Sequence, residues 1–200
     1  MSDKLPLLSP KNEPDHILWQ QFREGDRRAF QQIYQKYLNE LFTYGMKVQP
    51  HRNLVKDCLQ DLFIDLWKNK ENLSKTDNIK YYLFKALRRK ITKDVVKKKR
   101  YYVERDVVEF SDTQIVFPFE NKIIELQGQL MESQKLRKAV ERLSDRQKEV
   151  INLIFYEAFS YEEVSNIMNI NLRSVYTLVW KAISSLRKDI ISFLALFILF

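Results

Sequence analysis

The sequence predicts an all-α protein: two small helical domains joined by a flexible linker, the second domain carrying a helix-turn-helix. Three observations lead there. Only 3 Gly and 5 Pro occur in 200 residues, too few turn residues for an all-β chain. Apolar residues recur at helical spacing over most of the length. The period then lapses over residues 101–120, where acids, aromatics and a proline mix without a pattern. The expected organisation is a flexible lead over 1–14, a helical domain over 15–100, an acidic linker over 101–120, a second helical domain over 121–189 and an apolar tail over 190–200.

In the first domain, Gly25-Asp26 breaks the opening helix, and Asp26 caps the next. Phe30, Ile33, Tyr34, Tyr37, Leu38, Leu41 and Tyr44 mark an amphipathic helix reaching about Val48. Residues 50–53 form a turn. A third helix runs to about Asn69, with Val55, Leu59, Leu62, Phe63 and Leu66 inward, Trp67 at its edge and Cys58 as a small core residue. After a polar loop over 70–78, a fourth helix spans about 79–99.

The second domain resumes near Asn121, and Ser144-Asp145 caps a helix expected over 146–156. The segment 160–187 then reads as two short helices around a tight turn. Ser160 and Glu163 have the spacing of a capping box. Asn169 supplies the left-handed turn residue, and Asn171 caps the second helix. Val175, Leu178, Val179, Ala182, Ile183 and Leu186 form its expected buried stripe, leaving Arg173, Ser174, Tyr176, Thr177 and Lys181 outward. A helix so built can enter a DNA major groove. Hairpins of this kind are also common in helical proteins that never meet DNA, so the rest of the chain must decide.

The net charge is +8, with a pI near 9.4. That balance calls for a polyanionic partner, nucleic acid or an acidic membrane surface. The charge is concentrated: nine Lys or Arg lie between residues 85 and 100 against one acid, Asp94. Tyr81, Tyr82 and Phe84 stand just before this run. Cations on phosphates and rings on bases suit a nucleic-acid strand. The preceding helix is the opposite, with Asp57, Gln60, Asp61 and Asp65 on its outer face, which fits a protein partner. His16 and His51 stand alone, without metal-ligand spacing. No phosphate-cradling Gly loop or paired nucleophile is present. Enzyme chemistry, metals and cofactors are therefore not expected. A lone cysteine and a lead without an apolar signal core make the cytoplasm the default compartment. The apolar tail is too short to span a bilayer; it either continues the last helix or offers a sticky surface.

These residues resemble the extracytoplasmic-function (ECF) sigma factors, a compact group within the sigma-70 family of bacterial RNA polymerase initiation factors. The resemblance covers about residues 17–188. It is carried by Gly25-Asp26 with Ala29-Phe30, then Tyr34 and Tyr37, and by the block 57–67 (DCLQDLFIDLW). Tyr82-Leu83-Phe84, the block 143–150 (LSDRQKEV) and the helix-turn-helix complete it. Three positions depart from the family's usual pattern: Arg89 where an Asn is common, Lys93 with the acid displaced to Asp94, and Asn169 in place of the turn Gly.

The resemblance implies a factor that binds core RNA polymerase and promoter DNA and directs initiation, with an anti-sigma factor as a further partner. Asp57, Gln60, Asp61 and Asp65 would dock on the polymerase clamp. Arg88, Arg89, Lys90, Lys93 and Lys97 would hold the opening −10 strand. Arg173, Ser174, Tyr176, Thr177 and Lys181 would lie in or along the −35 major groove. The acids of the linker would thread the polymerase's nucleic-acid channels. Two rivals stay open on sequence alone: a free-standing helix-turn-helix regulator, and a peripheral membrane protein using the basic charge and the apolar tail.

Overall fold

The computed structural model describes residues 14–104 and 139–198. Residues 1–13 of the lead expected over 1–14, most of the linker, residues 121–138 of the helix expected from 121 to about 143, and the last two tail residues lie outside them. Among the described residues there are helices and no strand. They fall into two compact units, divided within α4 after Val95 except that residues 166–168 group with the first, and each is described by itself.

The first unit contains α1 (Asp15–Arg23), α2 (Arg27–Val48), α3 (Arg52–Lys68) and most of α4 (Ile79–Glu104), with a 3-10 turn at Lys70–Asn72. Gly25, at φ +96°, closes α1. The Asp26 N–H reaches back to Gln21 O, and the Gly25 N–H to Phe22 O, which is a Schellman closure that needs the left-handed residue. Asp26 then accepts from the backbone N–H groups of Arg28 (2.6 Å) and Ala29 (3.4 Å), so one short joint ends one helix and starts the next.

Leu18, Trp19, Phe22, Ile33, Tyr37, Leu41, Tyr44, Leu59, Leu62, Phe84 and Leu87 are buried in this unit. Aromatic rings tie its helices together. Trp19 meets Phe22 at 5.3 Å and Tyr82 at 5.0 Å, Phe30 meets Trp67 at 5.2 Å, and Tyr44 stacks on Phe84 at 4.8 Å. Such pairs add roughly 0.5–1.5 kcal/mol each beyond the area they bury. The fourth helix runs past the expected end near 99 to Glu104, because 99–104 holds no Gly or Pro to stop it.

The second unit contains α5 (Asp145–Ile151) with a π-helical turn at Asn152–Tyr156, most of α6 (Tyr161–Met168) and α7 (Leu172–Ile198). Ser144 and Gln147 form a capping box at the start of α5. Tyr156 was expected to end an ordinary helix. Instead the Glu157 N–H bonds to Asn152 O at 3.0 Å, and Ala158 turns the chain at φ 59°. The wider turn keeps Asn152 and Leu153 inside and puts Phe155 and Tyr156 outside. α5 packs against α7. The backbone of α7 continues through the tail to Ile198. Among the described residues no helix is long and apolar enough to cross a membrane.

Gly45 lies inside α2, where helix propensity alone would disfavour it. A Cβ there would sit 2.6 Å from Val55 Cγ1 of α3, so the glycine lets the two helices approach. Gly45→Ala is expected to destabilise the protein by about 1–3 kcal/mol through overpacking, despite the roughly 1 kcal/mol that Ala gains in helix propensity. Urea unfolding measures it. The Gly45→Ala/Val55→Ala pair should cost less than the sum of the singles.

Candidate functional site

Three exposed faces carry the predicted site residues. On α3, Asp57, Gln60, Asp61 and Asp65 are all exposed. Their spacing of three and four puts them on one side of the helix. Ile64, also exposed, sits among the acids and adds an apolar element that the charge pattern did not single out. The opposite side of α3 is core, with Leu59, Leu62 and Leu66 buried.

On α4, Arg89, Lys93 and Lys97 follow i, i+4, i+8 and are exposed, forming a basic stripe. Arg88 is half-buried. Lys90 turns toward α3, where its Nζ stands 2.6 Å from Asp65 Oδ2. The structure thus joins one residue of each expected face in an ion pair. The rings before the basic run do not act together. Phe84 was expected among the aromatics facing a strand, but it is fully buried and stacked on Tyr44. Its apolar position at helical spacing with Leu87 and Ile91 places it in the core. Tyr82 is half-buried against Trp19 and close to Arg89; burial raises its pKa, and the neighbouring guanidinium works against that shift. Tyr81 holds the Lys85 ammonium at 3.2 Å through its hydroxyl.

A cleft of about 390 Å³ opens beside the loop leading into α4, lined by His16, Trp19, Gln20, Arg23, Lys75, Thr76 and Asp77. The Nε of Arg23 is buried there without a hydrogen-bond partner. Nothing in the periodicity of the sequence pointed to it, because residues over fifty positions apart line it.

The helix-turn-helix is held by its caps. Ser160 and Glu163 close a capping box (2.8 and 3.2 Å). Asn169 is left-handed at φ 51°, ψ 52°. The Ile170 N–H closes on Ser165 O at 3.1 Å. Asn171 Oδ1 accepts from the Ser174 N–H at 2.7 Å and starts α7. Val175, Val179 and Ala182 are buried, while Leu178 and Leu186 are half-buried. Ile183 was expected on the same stripe but is 45% exposed, since eight residues from Val175 accumulate about 80° of rotation. Arg173, Tyr176, Thr177 and Lys181 are exposed and Ser174 is half-buried. Trp180, 68% exposed, was missed; it lies seven residues from Arg173 and so within about 20° of it around the helix.

Two family models match. "Sigma-70 region 2" covers residues 33–101, and "Sigma-70, region 4" covers 133–186. The chain belongs to the sigma-70 family. Its relatives include factors of the ECF group. The chain is 24% identical over 151 residues to the ECF RNA polymerase sigma factor SigM of Bacillus subtilis, covering 76% of this chain and 88% of that one. It is 23% identical over 164 residues to the ECF sigma factor SigK of Mycobacterium tuberculosis, covering 81% and 86%.

Solved structures share the fold. The sigma factor RpoE, in complex with the anti-sigma factor NepR from Bartonella quintana, has a TM-score of 0.58 at 24% identity over 82% of this chain and 97% of that one. CnrH, in complex with the cytosolic domain of CnrY, has a TM-score of 0.58 at 18% identity over 90% and 99%. The chain is therefore a transcription initiation factor that binds core RNA polymerase and directs it to promoters; a regulator acting without polymerase is not favoured.

Among the described residues, no group of three or more His, Cys, Asp or Glu side chains is placed to hold a metal ion. Cys58 is buried, and its thiol lies 3.6 Å from Asp94 Oδ2. Burial first, and then the Asp94 carboxylate, push it up to about 12 from 9.0. Because the folded value is the higher one, its contribution to stability is complete below about pH 9 and is lost as pH rises toward 12. Iodoacetamide at pH 9 should alkylate native Cys58 at least about a hundredfold more slowly than the urea-unfolded chain. Comparable rates would show a reactive thiolate.

Proposed function

We propose that the three faces divide the work of initiation among named residues. The acidic face of α3 (Asp57, Gln60, Asp61, Asp65) docks on the polymerase. The basic residues of α4, the stripe of Arg89, Lys93 and Lys97 with Arg88 and Lys90 beside it, hold the non-template strand as the −10 region opens. The outer face of α7 (Arg173, Ser174, Tyr176, Thr177, Lys181) lies against the −35 major groove. In domain terms, residues 15–100 serve the polymerase and the −10 element, and 121–189 serve the −35 element.

One observation carries this reading: faces of opposite charge stand on neighbouring helices and meet at the Asp65–Lys90 ion pair. A polyanion is repelled by the first and drawn to the second, so DNA and polymerase take different sides of one small domain. Opening a duplex costs a few kcal/mol of stacking and pairing, and a protein without ATP supplies it only by binding the opened strand more tightly than the duplex. The factor itself has no catalytic role and works in the cytoplasm, where core polymerase is. An anti-sigma factor is a further partner: the solved RpoE and CnrH structures are both complexes, with NepR and with the cytosolic domain of CnrY.

Asp61→Arg is expected to abolish co-elution with sigma-free core polymerase on a sizing column while leaving the circular-dichroism melt unchanged. Normal co-elution would remove the α3 face from the docking surface. Arg173→Ala is expected to weaken promoter binding of the reconstituted holoenzyme by roughly 1–3 kcal/mol, with co-elution intact. An equal loss on a scrambled −35 sequence would show that Arg173 reads no bases.

A further inference from the structure

We propose that Tyr176 reads a thymine methyl group in the −35 major groove, and that Tyr161 is the positioning residue that holds its ring for the contact. The inference rests on the reading of α7 as the −35 helix. It starts from a stack: the Tyr161 and Tyr176 rings lie 4.6 Å apart and 18° from parallel. Tyr161 is the first residue of α6, and it sits between Ser160 and Glu163, which the capping box joins by two reciprocal hydrogen bonds. Tyr176 lies in the second turn of α7 and remains 52% exposed.

The stack therefore does not bury the ring. It restrains the side-chain torsions of Tyr176 while leaving much of its surface open. Ordering a side chain normally counts against binding; here that cost is met on folding. A ring held this way is poorly suited to a phosphate, which selects cations and flexible donors. It suits an apolar group at a set position. In the major groove each base edge shows hydrogen-bonding groups, and only thymine adds an apolar one, its C5 methyl. Arg173, three residues earlier and exposed on the same outer side of the helix, leaves polar edges to a polar side chain and the methyl to the ring. Residues near the start of a recognition helix are the ones that reach base edges.

The test uses holoenzyme reconstituted with the full chain. A promoter library randomised across the −35 segment is first selected for binding. In the selected duplex each thymine of that segment is then replaced singly by uracil, which removes the methyl and nothing else. At one thymine the wild type should lose about fourfold in affinity, the worth of one buried methyl. Tyr176→Ala should bind the thymine and uracil duplexes equally. Tyr176→Phe should keep the methyl dependence. Tyr161→Ala should lose most of it, and Tyr161→Phe, which keeps the stacking ring, should restore it. A merely structural role for Tyr161 would weaken both duplexes alike and leave their ratio unchanged, which would overturn the positioning role. No response to methyl loss at any thymine would overturn the contact. So would a Tyr176→Ala holoenzyme that keeps full methyl dependence, and so would a Tyr176→Ala variant that fails to co-elute with polymerase, because the ring would then be a protein-docking surface. If wild-type holoenzyme selects no −35 sequence at all, the reading of α7 itself fails, an outcome distinct from selection without methyl dependence.

Discussion

The carboxylate of Asp15 gathers the first unit. It accepts from Lys36 Nζ at 3.0 Å, from the Tyr37 hydroxyl at 3.0 Å and from the backbone N–H of Ile79 at 3.1 Å. The last bond matters most, because Ile79 opens α4 and its N–H has no partner within the helix. A side chain 64 positions earlier thus helps start the helix that carries the basic stripe. Hydrogen bonds to a charged group contribute about 1.5–3 kcal/mol each, so this one residue couples α1, α2 and α4. Burial pushes the Tyr37 phenol up to about 12, which extends its role as a donor to Asp15 to more alkaline pH than an ordinary phenol allows. Trp19 adds a second clasp, donating from Nε1 to Ser74 O at 2.9 Å and tying α1 to the loop before α4.

Orientation of the charged faces follows from that assembly. With α4 set by Asp15 and by the Tyr44–Phe84 stack, and α2 brought close to α3 at Gly45, the α3 acids and the α4 cations lie on adjoining helices and touch at the Asp65–Lys90 pair. The Asp65–Lys90 pair is exposed enough that its own contribution to stability is small. Its interest is placement: it marks the seam between the side that favours a protein and the side that favours a phosphate backbone. The helix-turn-helix is assembled differently. Its geometry comes almost wholly from local bonds, the Ser160–Glu163 box, the left-handed Asn169 and the Asn171 cap, each within a few residues along the chain.

That difference explains which features were legible in advance. The caps at Asp26, Ser144, Ser160 and Asn171 and the turn at Asn169 are short-range chemistry, and each was readable from residue type and spacing. The inward stripe of α3 was equally clear, as was the burial of Cys58; that of α2 held apart from Tyr34, which is 36% exposed with its ring edge-on to Phe63. The outward acids of α3 and the outer face of α7 followed as their complements. Phe84 misled, because an aromatic beside a basic run looks the same in a sequence whether it faces a base or the core. Ile183 misled because eight helical residues do not return to the same azimuth.

What the sequence determined by itself was therefore the helices among the described residues, most of their ends, the sign of the charge on each face and, through two ordered blocks of residues, the family. Those depend on contacts between near neighbours and on a periodicity that any window of the chain displays. Only the tertiary structure decided that Asp15 starts α4, that Gly45 is a packing glycine, that Lys90 leaves the basic stripe to meet Asp65, and that Tyr161 backs Tyr176. Each of these joins residues on separate helices, and no local pattern records them. They exist because packing apolar faces against one another brings distant polar groups within hydrogen-bonding reach, at positions set by the shape of the core.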